Sequence, residues 1–460
     1  MQTVSALNLV GGSAAGIVKY AKNEQQAHKG KDGQEYTTGY YQNGAPGQWH
    51  GKLAEELGLS GAVSDKVLQD ILEGRLPDGT IFADAAKNPE RRAGNDLTLS
   101  APKSVSIMAL AGGDERIIAA HDAAVRKAMD YLESEVISAR YGKGGKESIK
   151  TGNAIFAAFR HEDARPVDGH TDPQLHTHCL QINVTRGRDG DLRATDLDFG
   201  ENAVRMHTSD AIYKAELAHS LKEMGYDIRK TRDGFELASV SDQQIEEFSA
   251  RRQQIDVALS EAGLSRENST AHERTVANLA TRESKGNPTQ EELQWDWRDR
   301  ARESGIDLSA VAAKEVVREA VNDRLSQGES NGNQQQYFRH GSEEAELHAD
   351  ENPSVELSIE PDHVRNLSLG GLAGVKEWER EGVLQDPESV DRHGPENVRR
   401  EPTAGGSGGI TEPTAAESAV SHALDHLSER QSVLSREQVL LESLKSGIGD
   451  ADSSQIREAF

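Results

Sequence analysis

Residues 159–183, FRHEDARPVDGHTDPQLHTHCLQIN, predict two β-strands with histidines near the point where they meet. In residues 175–186, apolar and small polar residues alternate and lead into the turn Arg-Gly-Arg-Asp-Gly, a pattern typical of a strand. Side chains two positions apart on a strand project from the same face. We therefore expect His176 and His178 to lie close enough to bind one ion. Residues 153–160 predict a second strand that leads to His161.

If these strands pair, His161 joins His176 and His178. Three neutral imidazoles with an open coordination position are typical of a catalytic metal site rather than a closed structural one. The alternative is that the two strand histidines are surface or hydrogen-bonded imidazoles without a metal. His170 lies in the loop between the strands and is the weaker candidate. Cys179 alternates to the opposite face and is expected in the core.

Composition limits the class of protein. A chain of 460 residues is long enough for two or three domains. Its 35% hydrophobic content and net charge of −25 indicate that part of it does not pack into a core. One cysteine excludes a disulfide framework and fits a reducing cytoplasm. No apolar run approaches the roughly 18 residues that a membrane helix needs, so we expect no membrane insertion.

The negative net charge argues against an obvious nucleic-acid binder, because neutralising phosphates requires Lys and Arg. Basic clusters are nevertheless present. They lie at residues 29–31, 91–92, 143–150, 186–193 and 229–232. The distribution of these clusters over the surface matters more for a nucleic-acid partner than the net charge does.

The rest of the first 304 residues alternates strands and helices. Tyr20 lies on a predicted helix, residues 13–26, after a short first strand. We expect Asp96 at the start of a strand that Pro102 interrupts. The alternative to a functional carboxylate at this position is a solvent-exposed one at the end of a strand. A hairpin with an Asp233-Gly234 turn follows a long helix. Residues 241–304 are helical throughout.

The chain changes character after about residue 309. Residues 309–417 form a predicted acidic, flexible linker, which is rich in Gly, Glu, Asn, Ser and Pro from residue 328 onward. Residues 418–460 regain helical periodicity and resemble the opening of another domain. The sequence contains no G-x-x-x-x-G-K-[ST] phosphate loop, so it gives no sign of nucleotide hydrolysis.

Several separated blocks recur together in one order: WHGKLAEELGLSG, DLTLSAPKSVS, FRHE, DPQLHTH and YKAELAHSLKEMGYDIR. With the N-terminal tyrosines, they resemble the MobF-type conjugative relaxases, the relaxase halves of large relaxase–helicase proteins in the HUH endonuclease superfamily. The resemblance covers roughly residues 1–308. Residues 418–460 also look like the start of the helicase region of that family.

The resemblance implies a role for each residue that matches a family motif. The metal ligands would be His161, His176 and His178, and the carboxylate that orients the site would be Asp96. Arg165 would be the arginine that follows the first ligand.

The tyrosines depart from the family pattern. The family usually has a Tyr-Tyr pair at the first position, whereas Tyr20 stands alone between Lys19 and Ala21. Tyr20 would be the first nucleophile, and Tyr40 or Tyr41 would act in a second transfer.

The implied activity is nicking of one DNA strand at a plasmid origin of transfer, through a covalent 5′-phosphotyrosyl intermediate that is later resealed. The implied cofactor is a divalent ion, Mg²⁺, Mn²⁺ or Zn²⁺. The implied partners are single-stranded and hairpin DNA, accessory relaxosome proteins and a type IV secretion coupling protein. The protein would act in the bacterial cytoplasm and be translocated into recipient cells with the DNA.

The implied fold is α/β, with a central mainly antiparallel sheet flanked by helices. Residues 241–304 would form C-terminal helical fingers that close over DNA. The candidate DNA-binding residues are basic side chains of the hairpins and loops: Lys103, Arg186, Arg188, Arg229, Lys230 and Arg232.

Two other functions stay open. A rolling-circle replication initiator uses the same His-hydrophobe-His chemistry, although its tyrosines would not be expected before the histidines. A non-catalytic, metal-stabilised DNA-binding scaffold would bind DNA without cutting it, and a fourth protein side chain would close its metal site.

Overall fold

A computed structural model describes residues 3–9, 12–21, 46–83, 86–197, 203–232, 234–281, 288–309, 413–429, 431 and 433–460. Tyr40, Tyr41 and residues 310–412 of the predicted linker lie outside the described residues. Among the helices within these ranges, none has the length and apolarity needed to cross a membrane.

Twelve strands and ten helices are found in the described part of the first 309 residues. The strands are β1 (Thr3–Asn8), β2 (Gln48–His50), β3 (Arg92–Ser100), β4 (Ser138–Tyr141), β5 (Glu147–Lys150), β6 (Phe156–Asp163), β7 (Pro173–Ile182), β8 (Thr185–Arg186), β9 (Leu192–Arg193), β10 (Thr195–Asp196), β11 (Ile228–Thr231) and β12 (Gly234–Leu237). The helices are α1 (Ala15–Ala21), α2 (Lys52–Glu56), α3 (Asp65–Leu72), α4 (Lys103–Leu110), α5 (Glu115–Glu135), α6 (Ala203–Glu223), α7 (Asp242–Glu247), α8 (Ala250–Glu261), α9 (Ala271–Ala280) and α10 (Gln290–Glu303), followed after the predicted linker by α11 (Ala415–Ser428), α12 (Arg436–Ser446) and α13 (Ser453–Ala459).

A five-stranded sheet in the order β1-β3-β7-β6-β2 forms the centre of the fold, and each neighbouring pair is antiparallel. Helices cover both of its faces. The predicted α/β fold with a central antiparallel sheet is therefore confirmed. Residues 241–304, predicted to be helical, contain α7 to α10.

The two faces of β7 belong to different apolar cores. Leu175 and Cys179 join the core built with α4, α5 and α6. Leu180 and Ile182 join the core built with α1, α2 and α3. Since His176 has the same strand parity as Leu180, the histidines face the α1 side of the sheet.

One local prediction was wrong. Asp96 lies in the interior of β3 rather than at the start of a strand, because β3 begins at Arg92 and pairs there with β1 and β7. Residues 418–460, predicted to be helical, contain most of α11 and all of α12 and α13, and Ser435 caps the start of α12.

A buried polar network lies behind the histidine strand. His121 on α5 contacts the Tyr213 hydroxyl at 2.7 Å and the Thr177 hydroxyl at 2.8 Å. Thr177 lies between the two strand histidines in sequence but points to the opposite face. Burial lowers the pKa of His121 from 6.5 to about 3, so the imidazole stays neutral in the folded protein.

This network predicts an acid-sensitive component of stability. The pKa of His121 is lower in the folded than in the unfolded state, so stability is lost as the pH falls from 6.5 toward about 3. For one proton the slope is about 1.4 kcal/mol per pH unit. His121→Asn keeps a donor and an acceptor but does not titrate. Between pH 6.5 and about pH 5, urea unfolding should show about 2 kcal/mol more loss in the wild type than in this variant. Parallel pH profiles would contradict this role of His121.

Candidate metal centre

Pairing of β6 with β7 brings three histidines together. His161 lies directly opposite His176, and His178 follows two residues later on the same face. Their ring centroids are 5.2, 4.8 and 5.2 Å apart, so the three imidazoles form a nearly regular triangle. One nitrogen from each ring lies within 4.8 Å of the others. The structure thus brings together the three ligands that the sequence predicts.

Asp96 orients one of these rings. Its carboxylate Oδ2 lies 2.8 Å from Nδ1 of His178, and Thr98 Oγ1 lies 3.1 Å from the same nitrogen. Asp96 is only 2% exposed, which excludes the alternative of a solvent-exposed carboxylate at the end of a strand. An ionised carboxylate can only accept, so the His178 proton is placed on Nδ1 and the lone pair on Nε2.

Backbone carbonyls orient the other two rings. Nδ1 of His176 donates to the Gln174 carbonyl at 2.8 Å, which places its lone pair on Nε2. Nε2 of His161 donates to the Ala21 carbonyl at 2.8 Å, which places its lone pair on Nδ1. Outer hydrogen bonds of this kind fix the tautomer of metal-binding histidines.

These donors fit a divalent ion. Nitrogens sharing a tetrahedral ion at about 2.1 Å are about 3.4 Å apart, so the rings need to draw inward only modestly from their present separation. Imidazole nitrogen suits zinc and other first-row transition ions. Three protein ligands leave at least one position for a substrate oxygen.

The predicted nucleophile lies next to a residue that contacts this cluster. Tyr20 belongs to α1, and the following residue, Ala21, supplies the carbonyl that His161 contacts. Ala14, Ile17 and Val18 are buried beneath the helix and hold it against the sheet. Arg165 lies in the connection between β6 and β7 and is partly exposed.

Helix α10 braces the strand ends that carry the ligands, a role that the sequence reasoning missed. At the start of β7, Trp297 Nε1 donates to the Thr171 carbonyl at 2.7 Å. Arg300 Nη2 lies 2.7 Å from Asp172 Oδ1, and the other Asp172 oxygen accepts from the backbone N–H of Ala250 at 2.8 Å. These contacts tie residues 171–172 to the helices of the predicted fingers.

A second contact reaches the end of β6. Gln290 at the start of α10 donates to Glu162, the residue after His161, at 2.7 Å. The only sequence signal for this brace was a pair of tryptophans in an otherwise charged helix, QEELQWDWRDRARE. Their exposures differ sharply: Trp297 is fully buried, whereas Trp295 is 70% exposed.

Three of the predicted DNA-binding side chains already have protein partners outside the β11–β12 hairpin. Lys103 Nζ donates to the Pro173 carbonyl at 2.8 Å, and its burial lowers its pKa from 10.5 to about 8. Arg186 pairs with Glu56 at 2.8 Å. Arg188 lies over the Tyr141 ring at 4.9 Å.

The other three belong to the β11–β12 hairpin. Arg229 pairs with Asp242 at 2.7 Å, Lys230 contacts Ser446 and Asp450, and Arg232 is exposed in the turn. A DNA-binding role for these six basic residues stays a prediction.

The metal centre predicts the effect of removing one ligand. His178→Ala should weaken Mn²⁺ or Zn²⁺ binding by about 100-fold or more, because the ring is part of the first coordination shell. His176→Ala should behave in the same way. His170→Ala is the matched control, since His170 is exposed outside the cluster. Calorimetric titration measures the affinities, and unchanged binding in both ligand variants would contradict the three-histidine site.

The contacts of α10 with residues 171–172 predict that two Asp→Asn variants differ in stability and in metal affinity. Asp172→Asn leaves Arg300 without its buried partner and should lower the free energy of unfolding by about 3 kcal/mol. Asp299→Asn breaks an exposed pair with Arg302 on the same helix, so its cost should stay below about 1 kcal/mol. Metal affinity should fall in the first variant only, since only Asp172 precedes the ligand strand. Equal effects in urea unfolding and calorimetry would refute the brace.

Comparison with known proteins identifies the family. A sequence model of the TrwC relaxase family matches residues 14–304. The multifunctional conjugation protein TraI of Escherichia coli is 36% identical over 294 residues, which is 61% of this chain and 16% of TraI. TraI of strain K12 is 35% identical over the same length. The chain thus matches about a sixth of the length of these relatives.

Solved structures agree with the sequence match. A metal-bound conjugative relaxase TrwC in complex with OriT DNA is 37% identical, with a TM-score of 0.57, and the match covers 67% of this chain and all of that one. TrwC with a 27-mer DNA comprising the recognition hairpin and the cleavage site is 34% identical, with the same TM-score and coverage. From the family model and the shared fold, the chain belongs to the TrwC relaxase family.

Proposed function

We propose that this chain nicks one DNA strand at a plasmid origin of transfer, holds the new 5′ end on a tyrosine and reseals the strand after conjugative transfer. The observation that carries the proposal is the contact between His161 and the Ala21 carbonyl. It supports the proposal because Tyr20 directly precedes Ala21 in the chain and the three histidines fit a metal ion. Membership of the TrwC relaxase family supports the same activity.

A covalent route explains why the attacking group is a side chain. Transfer to water would lose the energy of the phosphodiester, whereas transfer to Tyr20 keeps it in a new ester. The tyrosine oxygen bonds to phosphorus, the bond to the 3′ oxygen breaks, and that oxygen takes up a proton to become a free hydroxyl. Attack by the same hydroxyl reverses these steps and releases the tyrosine.

The other residues of the site serve this step. Tyrosine has an ordinary pKa of about 10, so Tyr20 must lose its proton as it attacks. Asp96 holds His178 in the tautomer that keeps its lone pair toward the site, and assists deprotonation of the tyrosine. A bound divalent ion, Mg²⁺, Mn²⁺ or Zn²⁺, supplies polarisation of a non-bridging phosphate oxygen. Arg165 lies in the connection between β6 and β7, and its guanidinium would bind a phosphate oxygen pair, whose geometry it matches.

We propose single-stranded and hairpin DNA of the origin as the substrate. The structural relative TrwC has been solved in complex with OriT DNA. The helices α7 to α10 would close over the strand, and basic side chains of the loops and hairpins other than Lys230 would contact phosphates. Accessory relaxosome proteins and a type IV coupling protein are the proposed protein partners, with action in the cytoplasm followed by translocation.

The nucleophile can be identified directly. Tyr20→Phe removes the attacking oxygen and should lose initial nicking of a single-stranded oligonucleotide carrying the origin. Tyr40→Phe should still nick but fail in a later strand transfer, with Tyr41 as the weaker substitute. Mass spectrometry of the protein–DNA adduct reads out the modified peptide. An adduct on the peptide with Tyr40 and Tyr41, and none on Tyr20, would reverse the assignment.

The same assay separates the alternatives. A non-catalytic scaffold would bind the oligonucleotide without any adduct. For the proposed enzyme, His178→Ala should abolish scission while circular dichroism shows an intact fold, and His170→Ala should nick normally.

A further inference from the structure

The helices after the predicted linker pack onto the relaxase fold. Leu444, Ile448, Ala451 and Ile456 join the same contiguous apolar core as α5 and α6. Each is at most 3% exposed. Burial of this extent indicates a built interface rather than a chance contact, because apolar area removed from water is the main source of association energy.

Polar side chains of α6 contact α12 and α13 at the edge of this apolar core. Glu437 of α12 lies 2.8 Å from Arg205. Glu216 accepts from the backbone N–H of Ser453, at the start of α13, at 2.9 Å. A ring of polar contacts around an apolar centre is typical of protein interfaces.

The β11–β12 hairpin forms the edge of this interface. Lys230 Nζ donates to the Ser446 carbonyl at 2.7 Å and to Asp450 Oδ2 at 2.8 Å. Lys222, at the end of α6, reaches the other Asp450 oxygen at 3.1 Å. One carboxylate therefore bridges two lysines, one of them predicted to bind DNA.

Charge complementarity fits these contacts. Residues 413–460 contain eight acidic and four basic side chains. The face that they cover supplies basic partners from α6 and the hairpin. Complementary charge of this kind fixes the register of an interface.

This interface lies behind the sheet. Helices α5 and α6 pack on the face that carries Leu175 and Cys179, and His121 of α5 bonds Thr177 from that side. The metal ligands project from the other face. Docking of residues 413–460 therefore leaves the histidine side of the sheet uncovered by this segment.

We propose that α5, α6 and the β11–β12 hairpin form a docking surface for residues 413–460. In this role the hairpin binds protein and Lys230 does not bind DNA. Docking is constitutive and not autoinhibitory: it holds the segment behind the strand-transfer face, and DNA does not displace it. The interface rests on contacts within the chain, and only the relation to DNA rests on the proposed function.

Swapping the charges of the pair between Arg205 and Glu437 tests the docking in the full chain. Glu437→Arg and Arg205→Glu each place like charges together and should raise amide exchange in residues 413–460 by about two- to fivefold. The double variant restores an opposite-charge pair and should return exchange close to the wild-type rate. Lys66→Glu is the matched control, since it breaks an exposed pair with Asp70 on α3 and should change nothing in this segment. Single variants without effect, or a double variant no better than the singles, would overturn the docking surface.

A second experiment, in which DNA is added, tests whether docking is constitutive. Adding a single-stranded oligonucleotide with a candidate origin sequence should leave amide exchange in residues 413–460 unchanged, and the two single variants should nick at the wild-type rate. Faster exchange with DNA, or faster nicking in the single variants, would show that the segment is an inhibitor. The charge-swap experiment contains no DNA. The docking proposal can therefore hold or fail independently of the nicking proposal.

Discussion

The antiparallel register of β7 with its two neighbours is the constraint on which the site depends. Pairing with β6 sets His161 opposite His176, and pairing with β3 sets Thr98 opposite His178. A shift of one residue in either pair would turn the histidines into an apolar core. The candidate metal centre is therefore a consequence of sheet register. Its three histidines all lie on paired strands and none on a long loop.

The residues that hold this register lie on both sides of β7. On the far face, His121 bonds to Thr177, which lies between His176 and His178 in sequence, and its other ring nitrogen bonds to Tyr213. At the strand end, the pair between Asp172 and Arg300 ties β7 to α10. These contacts hold the strand that carries His176 and His178 from both sides, as the proposed positioning of a reacting phosphate requires. Its proposed nucleophile is carried on α1, a short helix that contacts His161 through a backbone carbonyl.

Local patterns predicted the histidine cluster because strand periodicity is a local property. The spacing of His176 and His178 was enough to place both on one face, and the central sheet followed from the same alternation. The position of Asp96 was not predicted, because the start of β3 is set by pairing with β1, which is distant in sequence. Docking of residues 413–460 was missed for the same reason. Lys103 and Lys230 were predicted from charge alone, which cannot show that an ammonium already has a protein partner.

The central claim is that three imidazoles hold one divalent ion and leave a position open for phosphate. The most direct measurement is anomalous diffraction from crystals of the protein soaked in Zn²⁺. The account predicts one strong peak about 2.1 Å from a nitrogen of each of His161, His176 and His178, with the remaining coordination filled by water. A peak elsewhere, or a fourth protein side chain that completes the coordination of the ion, would contradict it and favour a structural site.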